Sequence, residues 1–404
     1  MGMTLFSLAS RQIWPQVLAF LSHTPRPDHL VLFHSGEENE SAGPARRLKE
    51  LMVVERLLPA EAVDLVEVPH DRFGNVLEAM ASTAERLNLD GSNCSVNVTG
   101  GNKLMALAAT EWCRLAEVRC FYLERDFTVL PFLPRGSDLL AQESYKINPH
   151  IAKDLSPLEL LRCQLGTAEV ANPGQRLTLN ERGKKMPGQE IQIQTDRGDF
   201  DFQKLLDWDV AEPEEKPGFA LEYATAVALL SIGIPVVQRS VRLVPRVLRG
   251  SGREEGELDL VFNWGGKLWV VDCKDRKSAL NRVDAIRTSI FSQYSPDLKL
   301  QKLLADLEDE LRQKELHPLK EDLLAVSEVA GLLGQAICVR REPLPKQAEE
   351  FARSRGLHVV TKSQLLEGLR RILYPGNSNT QEALRSHAAA RVITNPDKSG
   401  ADDR

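Results

Sequence analysis

Two α/β domains in succession, the first built on a doubly wound parallel sheet, are what this chain of 404 residues predicts. Three observations lead there. Residues 3 to 132 alternate short apolar runs with amphipathic stretches, the rhythm of βαβ units. Residues 256 to 277 hold two apolar runs around a glycine-containing turn, and strand-like and helix-like segments alternate after them. A Pro- and Glu-rich stretch at 212–217 has the composition of a linker ahead of the second region.

Composition excludes several classes. Hydrophobic residues make up 42% of the chain, enough for ordinary cores. No apolar run reaches the roughly 18 residues of a membrane-spanning helix, and the N-terminus lacks a signal-peptide pattern. A cytoplasmic protein without a membrane partner is therefore expected. Cys94, Cys113, Cys120, Cys163, Cys273 and Cys338 show no CxxC spacing and read as reduced core thiols. The histidines show no metal-ligand spacing. A net charge of −6 argues against a passive nucleic-acid coat, while a local basic cleft stays compatible with it.

In the first region, TLFSLA, HLVLFHS, VDLVEVP, CSVNVTG and VRCFYLE are the predicted strands. Helices are expected over 41–58, 73–88 and 102–116. Sheets of this kind bind ligands at the carboxyl ends of their strands. The most informative such end is Thr99-Gly100-Gly101-Asn102-Lys103, where a strand runs into a helix. Its glycines let backbone approach a ligand, the first helical N–H groups favour phosphate, and Lys103 adds charge. The GxxxxGK spacing of a P-loop is absent.

That turn, the segment Ser10-Arg11-Gln12-Ile13-Trp14-Pro15 after the first strand, and Ser35-Gly36 after the second together resemble a CARF domain. CARF domains are the CRISPR-associated Rossmann-like sensors of cyclic oligoadenylates. The resemblance covers about residues 1–145. It implies ligand contacts from Ser10, Arg11, Gln12, Trp14, Ser35, Thr99, Gly100, Gly101, Asn102 and Lys103. Read as residues alone, Trp14 suits packing as well as base stacking, and Arg11 suits solvent as well as phosphate.

Residues 146–216 read as a connector or small subdomain with no assigned chemistry. Ser156-Pro157 opens a short helix as N-cap and first residue. QRLTLN, EIQIQ and DFDFQ are candidate small strands, and no helix-turn-helix is evident.

In the second region LDLVF and KLWVVDC flank Asn263-Trp264-Gly265-Gly266, a β-hairpin pattern. Alternation places Glu257, Asp259 and Val261 on one face, and Leu268, Val270, Asp272 and Lys274 on one face of the second strand. Strands pair about 4.8 Å apart, so Asp259 and Asp272 are expected at one end of the hairpin. Both faces of KLWVVDC are apolar, as in a covered central strand. Carboxylates there are costly to bury unless a charge offsets them, and Mg²⁺ or Mn²⁺ prefers oxygen ligands.

Asp259, then Asp272-Cys273-Lys274 thirteen residues on, with Glu222 on the helical PGFALEYATAVALLSIGI upstream, resembles the PD-(D/E)xK nuclease core. The family's glutamate-or-aspartate position is Asp here. The resemblance implies Glu222, Asp259, Asp272 and Lys274 as catalytic residues. It places the metal on Asp259 and Asp272, with Glu222 or Glu257 completing the shell. Arg239, Arg242, Arg246, Arg249 and Arg253, with Lys274, Arg276, Lys277, Arg282 and Arg287, flank this site and suit a phosphate backbone. A charged exposed helix is expected over 296–316. GQAICVRR, PKQAEEFARSRG, HVVT and KSQLLEGLRRIL then give strand, helix, strand, helix. From Pro375 the chain is polar, and a disordered tail is expected.

Taken together, the chain resembles a CARF-domain nuclease of type III CRISPR defence, with a restriction-endonuclease-like effector after the sensor. The resemblance implies a sensor at 1–145, a connector at 146–216, a nuclease at 217–374 and a tail at 375–404. It implies activation by cyclic tetra-adenylate, Mg²⁺ or Mn²⁺ as cofactor, RNA or DNA as substrate, and a homodimer. Two other readings of the residues stay open: a regulator that binds nucleic acid without cleaving it, and a constitutive repair nuclease.

Overall fold

The computed structural model describes residues 2–69, 71–148, 150–180, 190–194, 219–244, 256–275, 283, 285–289, 298–331 and 333–375. The expected DFDFQ strand, the 212–217 linker, Arg246, Arg249, Arg253, Arg276, Lys277, Arg282 and the tail from 376 onward lie outside these residues.

All five predicted N-terminal strands form, as β1 (Thr4–Leu8), β2 (His29–His34), β3 (Val63–Glu67), β4 (Cys94–Asn97) and β5 (Arg119–Leu123). They pair in parallel in the order β3-β2-β1-β4-β5. Their continuous apolar runs make sense because β1 and β4 are buried along their whole length. Phe6 on β1 stacks on Trp112 at 5.5 Å and meets Phe33 on β2 edge-on at 5.0 Å. The connecting helices are α1 (Trp14–Ser22), α2 (Gly43–Val54), α3 (Phe73–Arg86) and α4 (Lys103–Leu115). Strand order reverses at β1, so the loops after β1 and β4 border the switch point.

Two features of this sheet escape the sequence pattern. Helix α1 begins inside the segment expected to be a ligand loop, with Trp14 as its first residue and Pro15 beside it. The sheet also continues antiparallel through β6 (Thr128–Arg135) and β7 (Asp138–Ala141), with β8 (Tyr145–Lys146) on β6. These strands are half exposed, and β6 contains Pro131 and Pro134, so no alternation announces them.

The connector holds α5 (His150–Lys153) and α6 (Pro157–Leu165). Ser156 closes a capping box on α6: its Oγ accepts from Glu159 N at 3.2 Å, and its own N donates to Glu159 Oε2 at 2.6 Å. β9 (Val170–Asn172), β10 (Gln175–Asn180) and β11 (Glu190–Gln194) follow. QRLTLN and EIQIQ are thus strands, and they join the second sheet instead of forming a subdomain of their own.

That sheet continues with α7 (Phe219–Ser231), β12 (Val237–Leu243), β13 (Gly256–Trp264), β14 (Lys267–Lys274), α8 (Leu298–Leu311), α9 (His317–Ala330), β15 (Gln335–Arg340), α10 (Lys346–Ser354), β16 (His358–Thr361) and α11 (Leu365–Leu373). Its order is β11-β10-β12-β13-β14-β15-β16, with β9 on β12. β14 is central and buried over all but its end residues, as two apolar faces require. The turn of the β13–β14 hairpin is shorter than expected. Asn263 and Trp264 extend β13, and only Gly265 and Gly266, at φ +66° and +78°, make the turn. Gly266 is also pressed close: a Cβ there would meet Ala152 Cβ at 2.9 Å.

By packing, the described parts of 1–174, 240–271 and 320–336 form one compact unit, and those of 175–239, 272–319 and 337–404 the other. Within the first, Asn263 Nδ2 donates to Ala152 O and Leu155 O, each at 2.7 Å, satisfying carbonyls at and just beyond the carboxyl end of α5. Among the described residues no helix is long and apolar enough to cross a membrane.

Candidate functional site

The parallel order brings the carboxyl ends of β1, β2 and β4 to one edge of the first sheet, and each ends in a loop expected to bind ligand. The loop after β4 is held from below by a buried amide. Asn97 Nδ2 donates to Ser7 Oγ at 3.1 Å, while Asn97 Oδ1 accepts from Thr99 N at 3.0 Å and Thr99 Oγ1 at 2.5 Å. Thr99 Oγ1 also accepts from Leu123 N at 2.9 Å. The Thr99 side chain is therefore spent on shaping the turn.

Gly100 sits so close to β1 that a Cβ would meet Leu8 O at 1.9 Å. Gly101 has φ +72° and donates its N–H to Ala9 O at 3.2 Å. The two loops at the switch point are thus stitched together through backbone. Asn102 is the N-cap of α4, its Oδ1 accepting from Met105 N at 2.8 Å. Lys103 follows as the exposed first residue of that helix, where its charge adds to the helix N-terminus.

After β1, Ser10 Oγ donates to Gln12 O at 3.1 Å and accepts from Gln16 Nε2 at 3.2 Å. Gln16 is buried and also donates to Leu8 O at 3.1 Å. Arg11 points outward, its Nη2 lying 3.3 Å from Glu328 Oε2, and both side chains are half exposed. Arg11 and Gln12 line a cavity of about 530 Å³ together with Arg46, Arg47, Gln164 and Glu328. Trp14 is only 2% exposed and belongs to the core, so packing and not base stacking is its role.

After β2, Ser35 N donates to Ser41 Oγ at 2.7 Å, and the two hydroxyls lie 2.6 Å apart. Gly36, at φ +74°, donates its N–H to His34 Nδ1 at 3.2 Å. That bond requires a neutral ring at Nδ1. Burial lowers the His34 pKa below its ordinary value, and the nearby Glu67 only partly opposes this.

In the second sheet, the hairpin register pairs Leu260 with Val271. Asp259 and Asp272 are the next residues outward on the two strands, so both stand at the same end of the hairpin. Asp259 is half-buried, Asp272 is buried, and Glu257 is exposed. Lys274 Nζ lies 2.6 Å from Asp272 Oδ1, and Arg340 Nη2 lies 3.9 Å from Asp272 Oδ2. Arg340 is oriented in turn by Cys338, with its Nε 3.0 Å from Sγ. Burial pushes the Cys338 thiol up to about 11, so it stays a neutral acceptor. Glu222, on α7, meets Arg239 Nη2 at 3.3 Å, and Thr225, one turn on, accepts from Cys273 Sγ at 3.7 Å.

This geometry corrects one expectation. Arg239 is 3% exposed and ties Glu222 to Gln175, at 3.3 Å and 3.0 Å, so it is a buried strut and not part of a phosphate-facing cluster. Arg287 pairs with Glu308 at 3.0 Å, and Arg242 is exposed.

The sequence reading implies a divalent metal here. Among the described residues no group of three His, Cys, Asp or Glu is gathered to hold one. Lysine and arginine meet the acids instead: Glu222 by Arg239, Asp272 by Lys274 and Arg340, and Asp275 by Arg341 at 2.5 Å. Asp272 Oδ2, however, is buried and accepts no hydrogen bond among the described residues. An orphaned carboxylate oxygen fits a cation of the Mg²⁺ kind. Such ions commonly take one or two carboxylates and complete their shell with water and substrate phosphate.

Residues 4–148 match the Card1 CARF domain family. Two solved structures share the fold over most of the chain. One is Can2 from Sulfobacillus thermosulfidooxidans in complex with cyclic tetra-adenylate, 16% identical, with a TM-score of 0.55 over 91% of this chain and 98% of that one. The other is protein VC1899 from Vibrio cholerae, 14% identical, with a TM-score of 0.53 over 96% of this chain and 98% of that one. No curated protein sequence matches the chain significantly.

Within residues 4–148 the sequence reading missed two residues that shape the loops, Gln16 and Asn97. Gln16 is a polar residue amid the apolar run of α1, and Asn97 a polar residue inside a buried strand. Each was visible as a buried polar residue that must find partners. Neither the partners nor their direction could be read from the chain alone.

Proposed function

We propose that the chain is a sensor-effector nuclease of type III CRISPR defence. Residues 1–145 bind a cyclic oligoadenylate, and binding switches on metal-dependent phosphodiester hydrolysis of RNA or DNA by residues 217–374. The match of residues 4–148 to the Card1 CARF domain carries this reading. The loops after β1, β2 and β4 support it, because they converge at the edge where such sheets take ligands. Lys103 and the first N–H groups of α4 suit phosphates of the ring. Ser10, Arg11, Gln12, Ser35 and the Gly100-Gly101 backbone complete the surface, with Thr99 and Asn102 holding the turn. A ring with rotational symmetry suits a site shared across a two-fold axis, so the working form is a homodimer.

In the effector, Asp259 and Asp272 would hold Mg²⁺ or Mn²⁺, with Glu222 or Glu257 helping directly or through water. A bound ion of this kind neutralises phosphate charge and lowers the pKa of its water. Lys274, with Nζ 2.6 Å from Asp272 Oδ1, would stabilise negative charge on the scissile phosphate as it builds. Arg340 Nη2, 3.9 Å from Asp272 Oδ2, adds positive charge on that side without hydrogen-bonding it.

The absence of a three-acid cluster among the described residues favours a second reading, in which the effector binds nucleic acid without cutting it. One experiment separates the readings. The purified chain is given labelled RNA, single-stranded DNA and duplex DNA with Mg²⁺ or Mn²⁺, with and without cyclic oligoadenylates of different ring size. Cyclic tetra-adenylate, the ligand in the Can2 structure, is the first ring to try. Cleavage that depends on one ring is expected. Equal cleavage without any ring would make the chain a constitutive nuclease, and retention without cleavage would make it a regulator.

A further inference from the structure

Helix α8 reads LKLQKLLADLEDEL, and its leucines divide into two sets. Leu304 is buried, while Leu298, Leu300, Leu303 and Leu307 are 80%, 36%, 66% and 41% exposed. Single exposed leucines are ordinary. Residues 300, 303 and 307, however, follow the spacing that lines up along one side of a helix, and an exposed apolar stripe marks a contact surface.

Charge is also divided along α8. Lys299 and Lys302 occupy its amino-terminal half, and Asp306, Glu308, Asp309 and Glu310 its carboxyl-terminal half. The helix macrodipole favours the reverse arrangement, so the helix on its own does not account for this pattern. Arg287 and Lys314 of the same chain meet Glu308 and Glu310, and a second copy running antiparallel would meet Lys302 and Asp306. It sets each basic half against an acidic half and lays stripe on stripe.

We propose that α8 is a self-complementary contact between two copies of this chain. The helices pair antiparallel about a two-fold axis that crosses near residue 305. Leu303 packs against the partner's Leu307, and Leu307 against the partner's Leu303. Glu308 is engaged by Arg287 at 3.0 Å and Glu310 by Lys314 at 2.5 Å, so the charge pairing rests on Lys302 and the partner's Asp306.

A helix of 14 residues spans about 21 Å. One stripe of that length buries far less than the roughly 1,200 Å² of a stable interface. The contact therefore rests on the dimeric sensor proposed above, which raises the effective concentration of the second helix. Two weak surfaces on one chain then act together, and whatever reorients the sensors makes or breaks the α8 pair.

The test uses the full chain. All six native cysteines are buried, so engineered thiols on α8 are the accessible ones. Lys302→Cys and Asp306→Cys proteins are oxidised separately and as a mixture, and the mass of the unoxidised chain is followed by light scattering. Disulfide coupling in the mixture is expected to run roughly tenfold faster than in the Lys302→Cys protein alone. Adding Leu303→Glu, at an exposed position, is expected to abolish it while circular dichroism stays unchanged. A dimer that shows no 302-to-306 coupling overturns the α8 contact and leaves the dimeric sensor standing. A monomer with no coupling overturns both. Fastest coupling of Lys302→Cys with itself indicates a parallel pair and overturns the antiparallel arrangement, and coupling indifferent to Leu303→Glu removes the stripe from the contact.

Discussion

Lys274 Nζ stands 2.6 Å from Asp272 Oδ1, two residues along the same face of β14. A buried aspartate held this way has a fixed direction and one oxygen left for another cation. Asp272→Asn and Lys274→Met are therefore expected to lower cleavage by about 10²–10³-fold each, the scale of losing one group that stabilises transition-state charge. Ring binding should persist in both. The check is single-turnover cleavage beside calorimetric titration of the ring. Full activity of Asp272→Asn in Mg²⁺ or Mn²⁺ removes Asp272 from the active site.

Arg239 and Arg242 lie on one strand, and their surroundings assign them different work. Arg239 is buried against Glu222 and Gln175, whereas Arg242 is exposed. Arg239→Ala leaves the half-buried Glu222 carboxylate short of its cation, and a loss of about 1–3 kcal/mol of stability is expected. Arg242→Ala should move stability by no more than about 0.5 kcal/mol. If Arg242 meets a phosphate backbone, the same change flattens the salt dependence of nucleic-acid binding. Urea denaturation and salt-dependent binding of both variants separate the two roles.

The chain made the first sheet legible because its parallel strands are covered on both faces and read as unbroken apolar runs. The β13–β14 hairpin was legible for the same reason, with glycines to mark its turn. β6 and β7 were not, since half-exposed strands with prolines carry no period. Nor was the fate of QRLTLN, because pairing partners far apart in sequence leave no local mark. At the candidate sites the residue types were visible but their geometry was not. Nothing in the order of residues says that Trp14 faces the core or that Arg239 is buried. Thr99 spends its hydroxyl on Asn97 and Leu123, a matter of direction that only the fold decides.

Gly100 has no room for a side chain, since a Cβ would meet Leu8 O at 1.9 Å. Backbone cannot move aside there without parting β1 from the loop after β4. Gly100→Ala is expected to cost about 1–3 kcal/mol, as overpacking of a tight contact does. Gly101→Ala, at φ +72° but 3.1 Å or more from its neighbours, is expected to cost closer to about 1 kcal/mol. Guanidinium melts give the order. Ring affinity should fall with it, because both substitutions displace the same N–H groups. A Gly100→Ala protein as stable as the parent would mean that the two loops are less closely apposed.

His34 accepts the Gly36 N–H on Nδ1 at 3.2 Å, and only a neutral ring can do so. Burial lowers its pKa from the ordinary 6.5. The unfolded chain therefore takes up the proton first as the solution is acidified, and it binds more protons than the folded chain between the lowered value and 6.5. Stability from this group is fully present above about pH 6.5 and is lost as pH falls through that window. His23 and His358 are lowered by burial too, so they act in the same direction. The melting temperature should drop between about pH 7.5 and about pH 5.5, and ring affinity with it, because the loop after β2 loses its tie to His34. His34→Gln offers an amide oxygen that cannot be protonated in this range. It is expected to flatten both curves, leaving the shallower slope of His23 and His358. Identical pH dependence in His34→Gln and the parent would remove His34 from the control of that loop.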